Sequence, residues 1–232
     1  MSVMIVFLLV LATIIGLWLS RQRLASKPWL ETGAPPARAE AVAVAPARLG
    51  LAVFLAVVGG LFAMLGSAFV MQIDEYPWQL VPLPRMIWFS TAALVAASLA
   101  LHRAAGAARR AEPGRRDAAL AAATLATLAF LAGQGLVWRA LGDGGVVLSG
   151  TPAGSLVYLI TGLHGLHVLG GLVALGRVWL RQAQRPGSAQ ARAAIALCAI
   201  YWHALLFVWL ALIALFSGLA NEVLALFGAL LT

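Results

Sequence analysis

Six stretches of this chain run for about the length of a membrane-crossing helix without a single aspartate, glutamate, lysine or arginine: residues 1–20, 49–71, 86–102, 118–138, 155–176 and 193–218. A helix needs about 20 apolar residues to cross about 30 Å of hydrocarbon, and only helices or closed barrels satisfy their backbone there. The spacing therefore predicts an all-α, polytopic transmembrane helix bundle with six spans. The third run is the shortest, and Arg85 and Arg103 at its ends extend it by snorkelling toward the two interfaces. Trp18, Trp78, Trp88, Trp138 and Trp179 fall near run ends, where an amphipathic indole favours the headgroup level, and are read as interface anchors.

The net charge is +8 and the isoelectric point about 11.2. No segment between the runs is long enough for a folded basic domain, so nucleic acid is excluded as a partner. The charge follows topology instead. Fourteen of the sixteen basic residues lie in 21–48, 103–117 and 177–192, leaving only Arg85 and Arg139 in the alternate loops. Every second loop is basic, as the positive-inside rule requires, which predicts both termini outside a bacterial plasma membrane. The first run lacks a basic leader and a small-residue cleavage site, so it reads as a retained anchor.

Four segments follow from this organisation. Residues 1–20 form an N-terminal transmembrane anchor, 21–47 a cytoplasmic Pro/Ala-rich linker, 48–218 a five-helix bundle, and 219–232 an outer-face interfacial tail too short to span. Cys198 is the sole cysteine, so neither a disulfide framework nor a thiolate cluster is available. A metal site would have to use histidine.

Polar residues inside spans carry the remaining information, because each must find a hydrogen-bond partner or face the bundle interior. The stretch "TGLHGLHVLGG" places His164 and His167 with Gly171 on one side of the fifth span, and His203 lies mid-span in "YWHALLFVWL". Three chemistries are open to these imidazoles: haem or copper ligation, a proton relay, or neutral hydrogen bonding between helices. The spans contain no carboxylate to serve a relay. Spacing alone does not choose among the three.

At these residues the chain resembles the subunit III family of haem-copper oxidases, which includes cytochrome c oxidase subunit III. "SLVYLITGLHGLHVLGG" is similar to the family's serine, aromatic, Thr-Gly and paired-histidine landmark. "YWHALLFVWL" resembles its closing Tyr-Trp-His segment with a tryptophan six residues on, "LPRMIWFSTAALVAASLAL" its Leu-Pro, Asn-Thr and double-serine helix, and "LAFLAGQGLVW" its helix ending in glutamine. Order, spacing and sidedness agree over about residues 48–218.

The resemblance implies a subunit that is not catalytic alone and carries no haem or copper. Those cofactors are expected in a catalytic subunit I, with subunit II and membrane lipid as further partners and phospholipid in the helix clefts. It implies support for proton uptake and protection of the catalytic subunit during turnover. His164, His167, His203, Gln134, Thr161 and Tyr201 then become interhelical polar residues. The alternatives are an accessory subunit of a nitric oxide reductase, a b-type haem carrier with its own Soret band, and a transporter, which would show intramembrane charges or broken helices.

The sequence departs from the family at several acidic positions. The carboxylate of the first core helix falls at or beside Val58, the aspartate three residues after the Tyr-Trp-His histidine falls on Leu206, and another acidic position falls on Ala196; the asparagine before Thr91 is Ser90. Scaffolding is the function that survives these losses. Without an acid at Leu206, His203 is expected to bond a carbonyl, a hydroxyl or a histidine of the fifth span.

Overall fold

A computed structural model describes residues 38–75, 84–145, 152–184 and 186–217. The run at 1–20, the tail at 219–232, Trp18 and Trp78 lie outside these residues. Five helices result: α1 (Arg38–Glu75), α2 (Met86–Arg109), α3 (Pro113–Asp143), α4 (Pro152–Gln184) and α5 (Ala189–Phe216). All five are long and apolar enough to cross a membrane, and the protein is a membrane protein of all-helical fold.

Each helix extends past the uncharged stretch that announced it at one end or both. α3 extends back to Pro113, α4 on to Gln184, and α1 starts at Arg38, inside the segment read as linker. Alanine-rich sequence such as "RAEAVAVAPAR" has high helix propensity, and a helix does not stop where hydrocarbon ends. Pro46 sits inside α1.

The helix ends follow local chemistry. Pro113 sits in the first turn of α3, where its missing N–H costs nothing. Ser188 caps α5 by accepting the Ala191 N–H at 3.2 Å. Between α2 and α3, Ala111 adopts φ +57° while the Glu112 N–H reaches back to the Ala107 carbonyl at 3.0 Å, a Schellman closure usually given to glycine.

α2, α3, α4 and α5 pack in a cycle, each helix against the next and α5 against α2. Trp202, Trp209, Phe130, Leu94, Leu120, Ile160, Leu205 and His164 fill its centre. Small residues bring α2 and α3 together: a Cβ on Gly133 would lie 2.5 Å from the Ser90 hydroxyl. α1 attaches differently. Only 17% of its most apolar stretch is buried, against 33–44% for the others, and it reaches α4 and α5 through Phe54, Phe62 and Phe69.

Candidate functional site

Threonine hydroxyls recur in the bundle in one arrangement. Thr91, Thr127 and Thr161 each donate to the carbonyl four residues back, to Ile87 at 2.8 Å, Ala123 at 2.7 Å and Val157 at 2.7 Å. Each oxygen then accepts an indole N–H from another helix: Trp209 at 3.0 Å, Trp202 at 3.1 Å and Trp138 at 3.1 Å. The hydroxyl's hydrogen and the indole's single donor are both used, so neither polar group is stranded among apolar neighbours. Three interfaces, α2–α5, α3–α5 and α3–α4, are pinned this way. At the third, the Tyr158 hydroxyl also donates to the Trp138 carbonyl at 3.3 Å.

The histidines of α4 face the same interior. His164 is fully buried, and its Nε2–H donates to the Leu205 carbonyl of α5 at 3.1 Å. Phe62, Phe130 and Trp209 wall its ring, the last at 5.0 Å between centroids. His167, one turn on, turns its Nδ1–H to its own helix, bonding the Leu163 carbonyl at 2.8 Å. From α5 the Tyr201 hydroxyl donates to the His167 carbonyl at 2.8 Å. Gly171 makes this approach possible, since a Cβ there would lie 2.7 Å from the Tyr201 ring and 3.0 Å from Trp202.

His203 stands apart from that cluster. Its Nδ1 is hydrogen-bonded to the Ser98 hydroxyl of α2, not to any group of the fifth span, and its ring lies 5.7 Å from that of His102. The expected hydroxyl partner is present and comes from α2 for a steric reason: Trp202 and Trp209 occupy the inward face of α5, which turns His203 outward beside α2. Both His102 and His203 are exposed on the bundle surface.

Gln134 is buried, and its amide has no hydrogen-bond partner among the described residues. Trp88 and Trp138 are exposed and Trp179 is half-buried at helix ends. Sequence reasoning missed Ser98, His102, Thr91 and Thr127. The pair Trp202 and Trp209, seven residues apart on one helix face, was the available signal that indole N–H groups needed acceptors inside the bundle.

The Nε2 of His164 is committed to a backbone carbonyl and its ring is enclosed by aromatic side chains. Among the described residues no three histidine, cysteine or carboxylate side chains converge as a metal site. His164 and Tyr201 join α4 to α5, as the threonine–tryptophan pairs join the other helices.

Comparison with known proteins places this bundle. The family described as cytochrome c oxidase subunit III matches residues 84–217, more than half of the chain and all of α2 to α5. Relatives named probable cytochrome c oxidase subunit 3 from Nocardia farcinica and Mycobacterium tuberculosis are 42% and 41% identical over 86 residues. One named cytochrome c oxidase subunit 3, from Thermostichus vulcanus, is 38% identical over 89 residues. Each alignment covers 37% of this chain, and the chain spans 42% of the length of these curated relatives.

Proposed function

Because the chain belongs to the cytochrome c oxidase subunit III family, we propose that it is the subunit III of a haem-copper terminal oxidase, a membrane scaffold that packs against the catalytic subunit and holds no redox centre of its own. The family match across α2 to α5 carries this reading. The bonding of the α4 histidines supports it, since His164 and His167 direct ring N–H groups to carbonyls. Haem and copper then belong to subunit I, with subunit II completing the complex, in a bacterial plasma membrane with both chain termini outside.

The scaffold role rests on stiffness. Three threonine–tryptophan pairs and the α4–α5 hydrogen bonds fix α2 to α5 as one body that presents a constant outer surface. The acidic positions of the family pattern hold Val58, Ala196 and Leu206, so no step of proton transfer is assigned to those side chains. The cleft of about 470 Å3 between α1 and α5, lined by Gly59, Phe62, Ala63, Gly66, Phe207 and Leu215 among others, is apolar and suits an acyl chain.

Purification in mild detergent through a tag on this chain tests the proposal. A larger haem-bearing membrane subunit should copurify, with the reduced-minus-oxidised spectrum tracking that subunit. A Soret band carried by the isolated chain would overturn it.

A further inference from the structure

His203 lies fourteen residues after the start of α5 at Ala189 and thirteen before its end at Phe216, which puts it about 20 Å from either end at 1.5 Å per residue. That is the middle of a hydrocarbon layer about 30 Å thick. His102 packs beside it from α2. Both side chains are exposed on the outer surface, bordered by Leu99 and Ile200, which are 54% and 48% exposed, and by Phe207 and Leu210. From the depth of His203 an imidazole is too short to reach headgroups, and His102 lies nearer the α2 end at Arg109.

The hydrogen bonding of the pair is incomplete. The Ser98 hydroxyl, itself buried, shares a hydrogen bond with the His203 Nδ1, which leaves the Nε2 of that ring without a hydrogen-bond partner among the described residues, while a neutral His102 carries one ring N–H to donate. Among the described residues His102 makes no hydrogen bond; its ring contact with His203 is aromatic. Acyl chains accept nothing from these groups, whereas a side chain on a neighbouring transmembrane helix can.

We infer that the α2–α5 face around His102 and His203 is the docking surface for a transmembrane helix of a partner subunit, which places a carboxyl or carboxamide oxygen against the two imidazoles. This rests on the subunit III reading and assigns the face through which it operates. Leu99, Ile200 and Leu210 supply apolar packing around a polar centre, and the pair selects a helix with an acceptor at mid-depth over a purely apolar one.

The test uses the intact complex purified through a tag on this chain. Replacing Leu99 or Ile200 with p-benzoylphenylalanine and irradiating should join the chain to a peptide from a transmembrane helix of the haem-bearing subunit that contains an Asp, Glu, Asn or Gln. The same group at Leu128 or Val173 should not capture that peptide. His102→Leu removes no hydrogen bond within the chain, so the fold is retained; it should lower retention of this chain per haem about ten-fold during detergent washing, equivalent to about 1.4 kcal/mol.

Capture of lipid alone, of a second copy of this chain, or of a helix without such a side chain at Leu99 and Ile200 overturns the assignment while the haem-bearing complex still copurifies. Unchanged retention of His102→Leu does the same. Absence of any haem-bearing partner removes both this inference and the reading beneath it.

Discussion

The Tyr201 hydroxyl of α5 donates to the His167 carbonyl of α4 at 2.8 Å, and one turn away His164 of α4 donates to the Leu205 carbonyl of α5 at 3.1 Å. The two bonds cross the same interface in opposite directions, from side chain to backbone. Neither depends on the identity of the accepting residue. Tyr201→Phe removes one bond and keeps the ring packed, so it should lower stability by about 0.6–1.7 kcal/mol, the measured range for interhelical hydrogen bonds in membranes. Equilibrium unfolding of the detergent-solubilised protein in SDS reads this directly; an unaltered midpoint would show that the hydroxyl contributes nothing.

Trp202→Phe and Trp209→Phe each delete an indole donor and leave a threonine oxygen with a free lone pair but a satisfied hydrogen. The hydroxyls still bond their own helices. Each change should cost about 1–3 kcal/mol from lost hydrogen bond and lost volume, while Thr91→Val should be no milder, because it strands the Trp209 N–H. Comparing thermal unfolding of the three detergent-solubilised variants checks that order.

Gly171→Ala and Gly165→Ala form a matched pair on one helix. A Cβ at Gly171 meets the Tyr201 ring at 2.7 Å and Trp202 at 3.0 Å, whereas one at Gly165 meets nothing within 4 Å. Overpacking should cost Gly171→Ala about 1–3 kcal/mol, and Gly165→Ala should be neutral or slightly stabilising. Equal stabilities of the two variants would contradict the close α4–α5 approach.

Ala111 holds a left-handed backbone at φ +57° in the α2–α3 turn. Ala111→Gly relieves that strain and loses some unfolded-chain restriction, with an expected net gain of about 0.5–1 kcal/mol. Ala111→Val should move the unfolding midpoint the other way, because a β-branched side chain fits that region poorly.

On the proposed function, His164→Leu breaks an interhelical bond but touches no redox group. The variant should weaken internal packing or association with the catalytic subunit, and His167→Leu likewise. The haem spectrum per catalytic subunit should stay unchanged for both. A haem band lost with either substitution would assign these imidazoles a ligand role instead.

The membrane spans over the described residues were legible because absence of charge over about 20 residues has a single physical outcome in a long chain. Helix ends were less so: Arg110 and Glu112 sit in the solvent-facing α2–α3 turn and pair with each other and with Arg115 at the start of α3, where charge no longer reports where a helix stops. The partner of His203 could not be read either. Ser98 lies 105 residues away, and periodicity gives the face of one helix without naming its neighbour. Thr91 and Thr127 were invisible for the same reason, since a threonine bonded to its own helix looks ordinary until an indole arrives from another; Thr161 was legible only beside the paired histidines.

The threonine–tryptophan pairs carry a consequence for how the chain finds its final form. If α5 sat one turn too deep or too shallow, the indoles of Trp202 and Trp209 would lie about 5 Å from their acceptors, with water too remote to replace them. A one-turn slip of α5 would thus be penalised at two depths simultaneously, so the two indoles together set its register against α2 and α3.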